Sequence, residues 1–133
     1  MVARARLEEV QPLAAAYRRE ALAEGQIAEP PLPTGALFWI ARDAADETIG
    51  YAAGTLRPEG LVLGPVYVRA EHRRSGAGRR LLREIEQWAT GARIPLVEVS
   101  VAANNEAGVR FLEAAGFQIR RHLMARAAQD RES

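Results

Sequence analysis

Between Leu61 and Val101 the hydrophobic period of the chain changes twice. The segment "LVLGPVYV" is an apolar run of strand length; Leu81, Leu82, Ile85, Trp88 and Ala89 then recur at intervals of three and four; and in "PLVEVSV" Val97, Val99 and Val101 alternate with Leu96, Glu98 and Ser100. These are the signatures of a strand, a helix and a second strand. A helix with one apolar stripe, connecting two strands, must lay that stripe on the sheet they form, so the run implies an α/β layered domain.

The flanking segments fit that plan. Val2 to Arg6 reads as a short strand, and Leu13, Tyr17, Ala21 and Leu22 fall on one face of a helix expected from near Glu9 to before Gly25, with Pro12 in its first turn. "AEPPLPTGA" breaks regular structure and reads as a loop, not a domain linker. "LFWIAR" and "TIGYAAGTL" are two further strands. Beyond Val101, Asn104 or Asn105 can cap a helix carrying Phe111, Leu112 and Ala115, with Gly116 as its left-handed stop. "FQIRRHLMARA" is expected to be a last strand and "QDRES" a loose tail.

Composition narrows the function. The 133 residues, 48% of them hydrophobic, suit one domain, 1–133, with its own core. The net charge of +1 excludes a polyanion binder acting through bulk charge, so no nucleic acid is expected. The absence of cysteine removes disulfides, thiolate nucleophiles and thiolate metal sites, and no metal is expected. All 18 basic residues are arginine. No apolar run approaches the roughly 20 residues that span a bilayer, and "MVARARLEEV" lacks the apolar core of a signal peptide; no membrane partner and a cytoplasmic location are expected.

The stretch "VYVRAEHRRSGAGRRLL" lies at a strand-to-helix junction. The first N–H groups of a helix lack internal partners and the helix dipole adds partial positive charge there, so such a junction binds anions. Gly76 and Gly78 would let a phosphate approach the backbone, and Arg73, Arg74, Arg79 and Arg80 add charge. A diphosphate fits the site. On the local pattern alone, paired glycines also make an ordinary turn and an arginine run an ordinary solvated face. Two phosphate motifs are excluded. A Walker loop needs a lysine, and a Rossmann loop sets its glycines directly after the strand, whereas here about seven residues separate Val68 from Gly76 and Leu81 stands in the third glycine's place.

The residues Arg73-Arg74-Ser75-Gly76-Ala77-Gly78 match the Arg/Gln-x-x-Gly-x-Gly/Ala signature of the GNAT superfamily of acyl-CoA-dependent N-acetyltransferases, and "NNEAGVRFLEAAGF" resembles its second block, Asn-x-x-Ala-x-x-x-Tyr-x-x-x-Gly-Phe. The resemblance covers Leu37 to Phe117 and extends plausibly to the first helix. It implies a GNAT-like three-layer α/β domain: a mixed, mostly antiparallel central sheet flanked by helices, with splayed central strands. It also implies transfer of acetyl from acetyl-CoA to a primary amine, on a small molecule or a peptide, by direct attack in a ternary complex. A non-catalytic acyl-CoA-binding domain is the alternative. A homodimer is left open.

The resemblance further assigns roles residue by residue. Arg74, Ser75, Gly76, Ala77, Gly78 and Arg79 would offer backbone amides to the pyrophosphate, and Arg73 would hold the loop or the phosphates. Val66, Tyr67 and Val68 would pair with the pantetheine amides as an added strand. Asn105 would lie near the thiol arm, or cap its helix. Two positions depart from the pattern: Leu112 occupies the place of the family's tyrosine, a general acid in many members, and Gly108 that of its alanine. Tyr67, Ser100 and Tyr51 are the candidate replacements, and each also fits an ordinary strand position. Glu98 is the candidate base, since partial burial in an apolar strand raises a carboxylate's pKa; pairing with an arginine is its structural alternative. His72 and His122 are weaker candidates. Glu20, Glu24 and Glu29 lie in segments that choose the acceptor in the family, where they would attract a cationic amine or serve as surface charges.

Overall fold

The structure is a computed structural model that describes residues 1–25, 35–102 and 104–128. Most of the expected loop at 28–36, including Glu29, lies outside the described residues. Among the described residues nine elements follow one another: β1 (Val2–Ala5), α1 (Leu7–Ala23), β2 (Leu37–Arg42), β3 (Thr48–Arg57), β4 (Gly60–Val68), a 3-10 turn (Ala70–His72), α2 (Ala77–Gly91), β5 (Val97–Val99) and α3 (Glu106–Ala114). The five strands form one sheet in chain order. Neighbours are antiparallel from β1 to β4, and β5 runs parallel to β4 because the chain crosses over through α2.

Strand alternation divides the core between the two faces. In β2, Phe38 and Ile40 face α1 and pack with Val10, Leu13 and Ala14, while Trp39 and Ala41 face α2 and pack with Leu81, Leu82 and Ile85. Burying a leucine or isoleucine of this kind contributes about 1.5–3 kcal/mol. Trp39 and Trp88 meet edge to face at 5.6 Å, and the Arg4 guanidinium lies 5.4 Å from the Trp39 ring and 5.6 Å from that of Trp88. The result is helix, sheet and helices in three layers.

Helix α1 starts two residues earlier than the sequence suggests. The Arg6 N–H donates to Glu9 Oε1 (2.9 Å), and the Glu9 N–H returns to the Arg6 carbonyl (3.0 Å), so the first turn is closed by Glu9. Pro12 therefore lies in the second turn, where its missing N–H leaves the Glu8 carbonyl without a helical donor. Both residues are exposed, and solvent can take that carbonyl.

The expected last strand does not form. Residues 117–128 carry no regular structure, and Ile119, Leu123 and Met124 stay exposed. The edge on which they would pair, β5, is only three residues long. So short an edge offers too few ladder hydrogen bonds to offset the entropy of ordering another strand. What ties the segment to β5 is charge: Arg120 and Arg121 reach Glu98.

Candidate functional site

The site begins with a flaw in the β3–β4 ladder. Ala52 opposes Val66 and Gly54 opposes Leu63, so the single residue Ala53 faces two, Gly64 and Pro65. This bulge shifts the alternation of β4 by one. Leu61 and Leu63 face α2, and so do Val66 and Val68, while Tyr67 turns to the α1 face.

The bulge also ends the pairing with β5. The Leu61 N–H donates to the Leu96 carbonyl (2.9 Å) and the Ser100 N–H to the Leu63 carbonyl (3.0 Å). The next bond of a parallel ladder would run from the N–H of residue 65 to the carbonyl of Ser100, and proline has no N–H. Beyond Leu63 the described residues of the two strands pair no further, and this unpaired stretch is the gap between them. The Arg69 N–H donates to the Ile49 carbonyl (2.8 Å), which fixes the phase of the antiparallel ladder. By alternation Tyr67 spends its main-chain groups on β3, and those of Val66 and Val68 point into the gap. A proline after a glycine within an apolar strand was the sequence signal for this opening.

At the mouth of the gap stands the loop before α2. Arg74 (φ 70) and Gly76 (φ 86) are both left-handed, and the Ser75 hydroxyl donates to the His72 carbonyl (2.5 Å). The helix opens with the Arg80 N–H on the Gly76 carbonyl (3.0 Å). The N–H groups of Gly76, Ala77, Gly78 and Arg79 find no acceptor among the described residues. Four unpaired donors at the start of a 15-residue helix are an arrangement suited to an anion, and the exposed side chains of Arg74, Arg79 and Arg80 add charge. The two glycines differ in purpose. Gly76 is required by its φ, whereas a Cβ on Gly78 would sit 3.0 Å from the Phe111 ring, so Gly78 serves the contact between α2 and α3.

Arg73 turns toward the α1 face. Its Nη2 donates to Glu20 Oε1 (2.6 Å), its Nε to the Val68 carbonyl (2.9 Å), and its guanidinium lies 5.6 Å from the Tyr67 ring centre. The other Glu20 oxygen accepts the Tyr67 hydroxyl (2.5 Å). Burial and the Glu20 carboxylate push the Tyr67 phenol up to about 12. Burial alone would raise Glu20, but the hydrogen bonds from Tyr67 and Arg73 outweigh it and hold the carboxyl below its usual value. From the sequence alone, Glu20 is an acceptor-side charge or a surface charge. Its partners lie 47 and 53 residues away, beyond the reach of any local pattern.

The remaining candidates fall as follows. Glu98, on β5 opposite Val62, has a 19% exposed side chain with both oxygens turned to arginine: Arg121 Nη2 at 3.1 and 3.3 Å, Arg120 Nη1 at 3.4 Å. Ser100 is exposed where the strands part, and its hydroxyl has no partner among the described residues. Asn105 caps α3, its Oδ1 accepting the Gly108 N–H (3.0 Å). A Cβ on residue 108 would meet Asn105 Nδ2 at 2.6 Å, so an alanine there would require the Asn105 side chain to shift. Leu112 is 8% exposed within the α2-side core, and a tyrosine in its place would have to bury its hydroxyl. Tyr51 is buried under α1, His122 is exposed on the C-terminal segment, and His72 is half-buried before the loop. Among the described residues no group of His, Asp and Glu could hold a metal ion, and no helix is long and apolar enough to cross a membrane.

Comparison with known proteins bears on the family and the fold. The L-methionine sulfoximine/L-methionine sulfone acetyltransferase of Pseudomonas paraeruginosa is 33% identical over 85 residues, covering 60% of this chain and 49% of that one. The chain thus spans about half the length of the curated relatives it matches. An aminoglycoside 6'-N-acetyltransferase from Acinetobacter haemolyticus superimposes with a TM-score of 0.68 at 18% identity, over 98% of this chain and 99% of that one. An aminoglycoside N-acetyltransferase solved in complex with CoA gives 0.70 at 15% identity, over 98% and 100%. At these identities the two structures speak for the fold alone. The match to a family is direct: residues 6–117 fit the Acetyltransferase (GNAT) family, which uses acetyl-CoA, and the chain belongs to it.

Proposed function

We propose that this chain is an N-acetyltransferase that moves acetyl from acetyl-CoA to a primary amine. The observation that carries the reading is the gap between β4 and β5 with four unpaired N–H groups at its mouth. The N–H groups of Gly76 to Arg79 would hold the diphosphate, and the main-chain groups of Val66, with the N–H of Val68, the pantetheine arm. The Val68 carbonyl is already engaged by Arg73. When bound, acetyl-CoA supplies a thioester carbonyl whose C–S bond breaks as the acceptor nitrogen forms the amide. The Ser100 hydroxyl, free at the point where the strands part, is the protein donor best placed to hydrogen-bond the departing sulfur, which takes its proton from water. The Glu98 oxygens face residues 120–121, so the proton of the amine leaves through water in the gap.

A non-catalytic acyl-CoA-binding reading has its own support in the buried Leu112 and the arginine-bound Glu98. One experiment separates the two. The protein is incubated with acetyl-CoA and a panel of amines that includes L-methionine sulfoximine, L-methionine sulfone and aminoglycosides, and free thiol is followed. Amine-dependent thiol release is expected; CoA binding without turnover across the panel would favour the second reading. With an active acceptor in hand, Glu98→Gln should keep turnover per folded molecule within about threefold. A fall of about 100-fold or more with CoA binding intact would restore Glu98 as the base.

A further inference from the structure

Arg73 belongs to the glycine-rich motif, yet its guanidinium is spent on the α1 side of the sheet. It is held there by three different elements of the fold: the Glu20 carboxylate from α1, the Val68 carbonyl at the end of β4, and the face of Tyr67. Glu20 is shared between Arg73 and the Tyr67 hydroxyl, one oxygen for each. A half-buried carboxylate with both oxygens accepting charge-assisted or short hydrogen bonds has one preferred position, and so does the arginine it holds.

The loop that follows needs such an anchor. Between Arg73 and the helix it contains two left-handed residues, one of them a non-glycine, and its ties among the described residues are few: His72 N–H to Arg69 carbonyl, Arg73 N–H to Ala70 carbonyl, the Ser75 hydroxyl to the His72 carbonyl, and a long bond from Arg80 Nη1 to the Ser75 carbonyl (3.5 Å). Left-handed backbone at Arg74 costs about 1–2 kcal/mol and persists only where the surroundings fix it. An unanchored loop would sample other conformations and would have to be ordered each time a diphosphate bound.

We propose that Glu20 is a positioning residue for acyl-donor binding: from α1 it clamps Arg73 against β4 and so fixes the loop that presents the N–H groups of Gly76 to Arg79. The inference rests on the proposed binding of acetyl-CoA. It makes α1 part of the diphosphate site on the opposite face of the sheet without touching the ligand.

The test uses the full chain without bound ligand, and CoA as the probe. Glu20→Gln keeps the length of the side chain and one carbonyl acceptor but removes the charge and the second acceptor. CoA affinity by calorimetry should fall about tenfold, about 1.4 kcal/mol. Backbone amide NMR order parameters at residues 73–79 should fall, with those of the sheet and of the later turns of α2 unchanged. Arg73→Lys, which keeps the charge but loses the planar fork, should reproduce both effects and guards against a folding defect peculiar to residue 20. Unchanged CoA affinity in folded Glu20→Gln overturns the inference, as does a loss of order spread over the whole sheet. A wild-type chain that binds no CoA removes the proposed function and this inference together; a wild type that binds while Glu20→Gln binds equally well removes the inference alone.

Discussion

Gly76→Asp is expected to weaken CoA binding at least 100-fold while leaving the fold in place. The two halves of this expectation have separate causes. The position has room, since a Cβ there meets nothing closer than Arg80 Nη1 at 3.6 Å. Its left-handed φ of 86 costs an L-residue about 1–2 kcal/mol, at the low end for aspartate. A carboxylate at the N-cap of α2 returns part of that cost by accepting the helix's unpaired N–H groups and by meeting its dipole. Those N–H groups are the ones a diphosphate needs. The ligand therefore loses its donors and meets a negative charge in the same place, and two unit charges 4 Å apart near a protein surface repel by about 4 kcal/mol. Gly76→Ala supplies the backbone cost without the charge and should lose far less affinity. Gly78→Asp is a poorer probe, because its added atoms would first strike the Phe111 ring. Calorimetric titration with CoA, with the melting temperature as a check of the fold, measures both halves. A folded Gly76→Asp protein that binds CoA as the wild type does would move the diphosphate away from α2.

The elements that could be read from the sequence are those whose own residues carry the period. The apolar run of β2, the alternation of β5, the three-and-four spacing of α2 and the cap at Asn104 or Asn105 with its Gly116 stop are local, and the structure has these elements there, with Asn105 as the cap. Features set by a distant partner could not be read this way. Glu20 looks like one more helix-surface charge until Tyr67 and Arg73 are brought to it, and "FQIRRHLMARA" alternates like a strand but has only a three-residue edge to pair with. The junction before α2 falls between these cases. Its glycines were visible and its anion chemistry followed from them, but the division of labour between Gly76, which sets φ, and Gly78, which admits Phe111, depends on α3 being folded against α2. Pro65 shows the reverse: a local residue with a distant effect, because its missing N–H stops a ladder whose other strand begins about thirty residues later.

The closed end of the gap depends on Gly60 as the open end depends on Pro65, and Gly60→Ala is expected to destabilise the protein by about 3 kcal/mol or more. A Cβ at residue 60 would lie 2.3 Å from the Leu96 carbonyl oxygen and 3.0 Å from the Leu96 carbonyl carbon and Cβ. These are mostly backbone atoms and cannot rotate aside, so either β5 or the turn into β4 must move. If β5 moves, the bond from the Leu61 N–H to the Leu96 carbonyl goes with it, and that bond begins the short ladder on which β5 depends. A domain of this size loses roughly 3–6 °C of melting temperature per kcal/mol, so a fall of about 10 °C or more is expected in a thermal melt. Gly64→Ala is the internal control: its Cβ would meet only the Ala53 carbonyl at 3.9 Å, an ordinary contact, and its melting temperature should stay within a few degrees of the wild type. Equal, small shifts for both variants would mean that β5 yields at Gly60 without cost, and that something other than this backbone contact sets where the two strands begin to part.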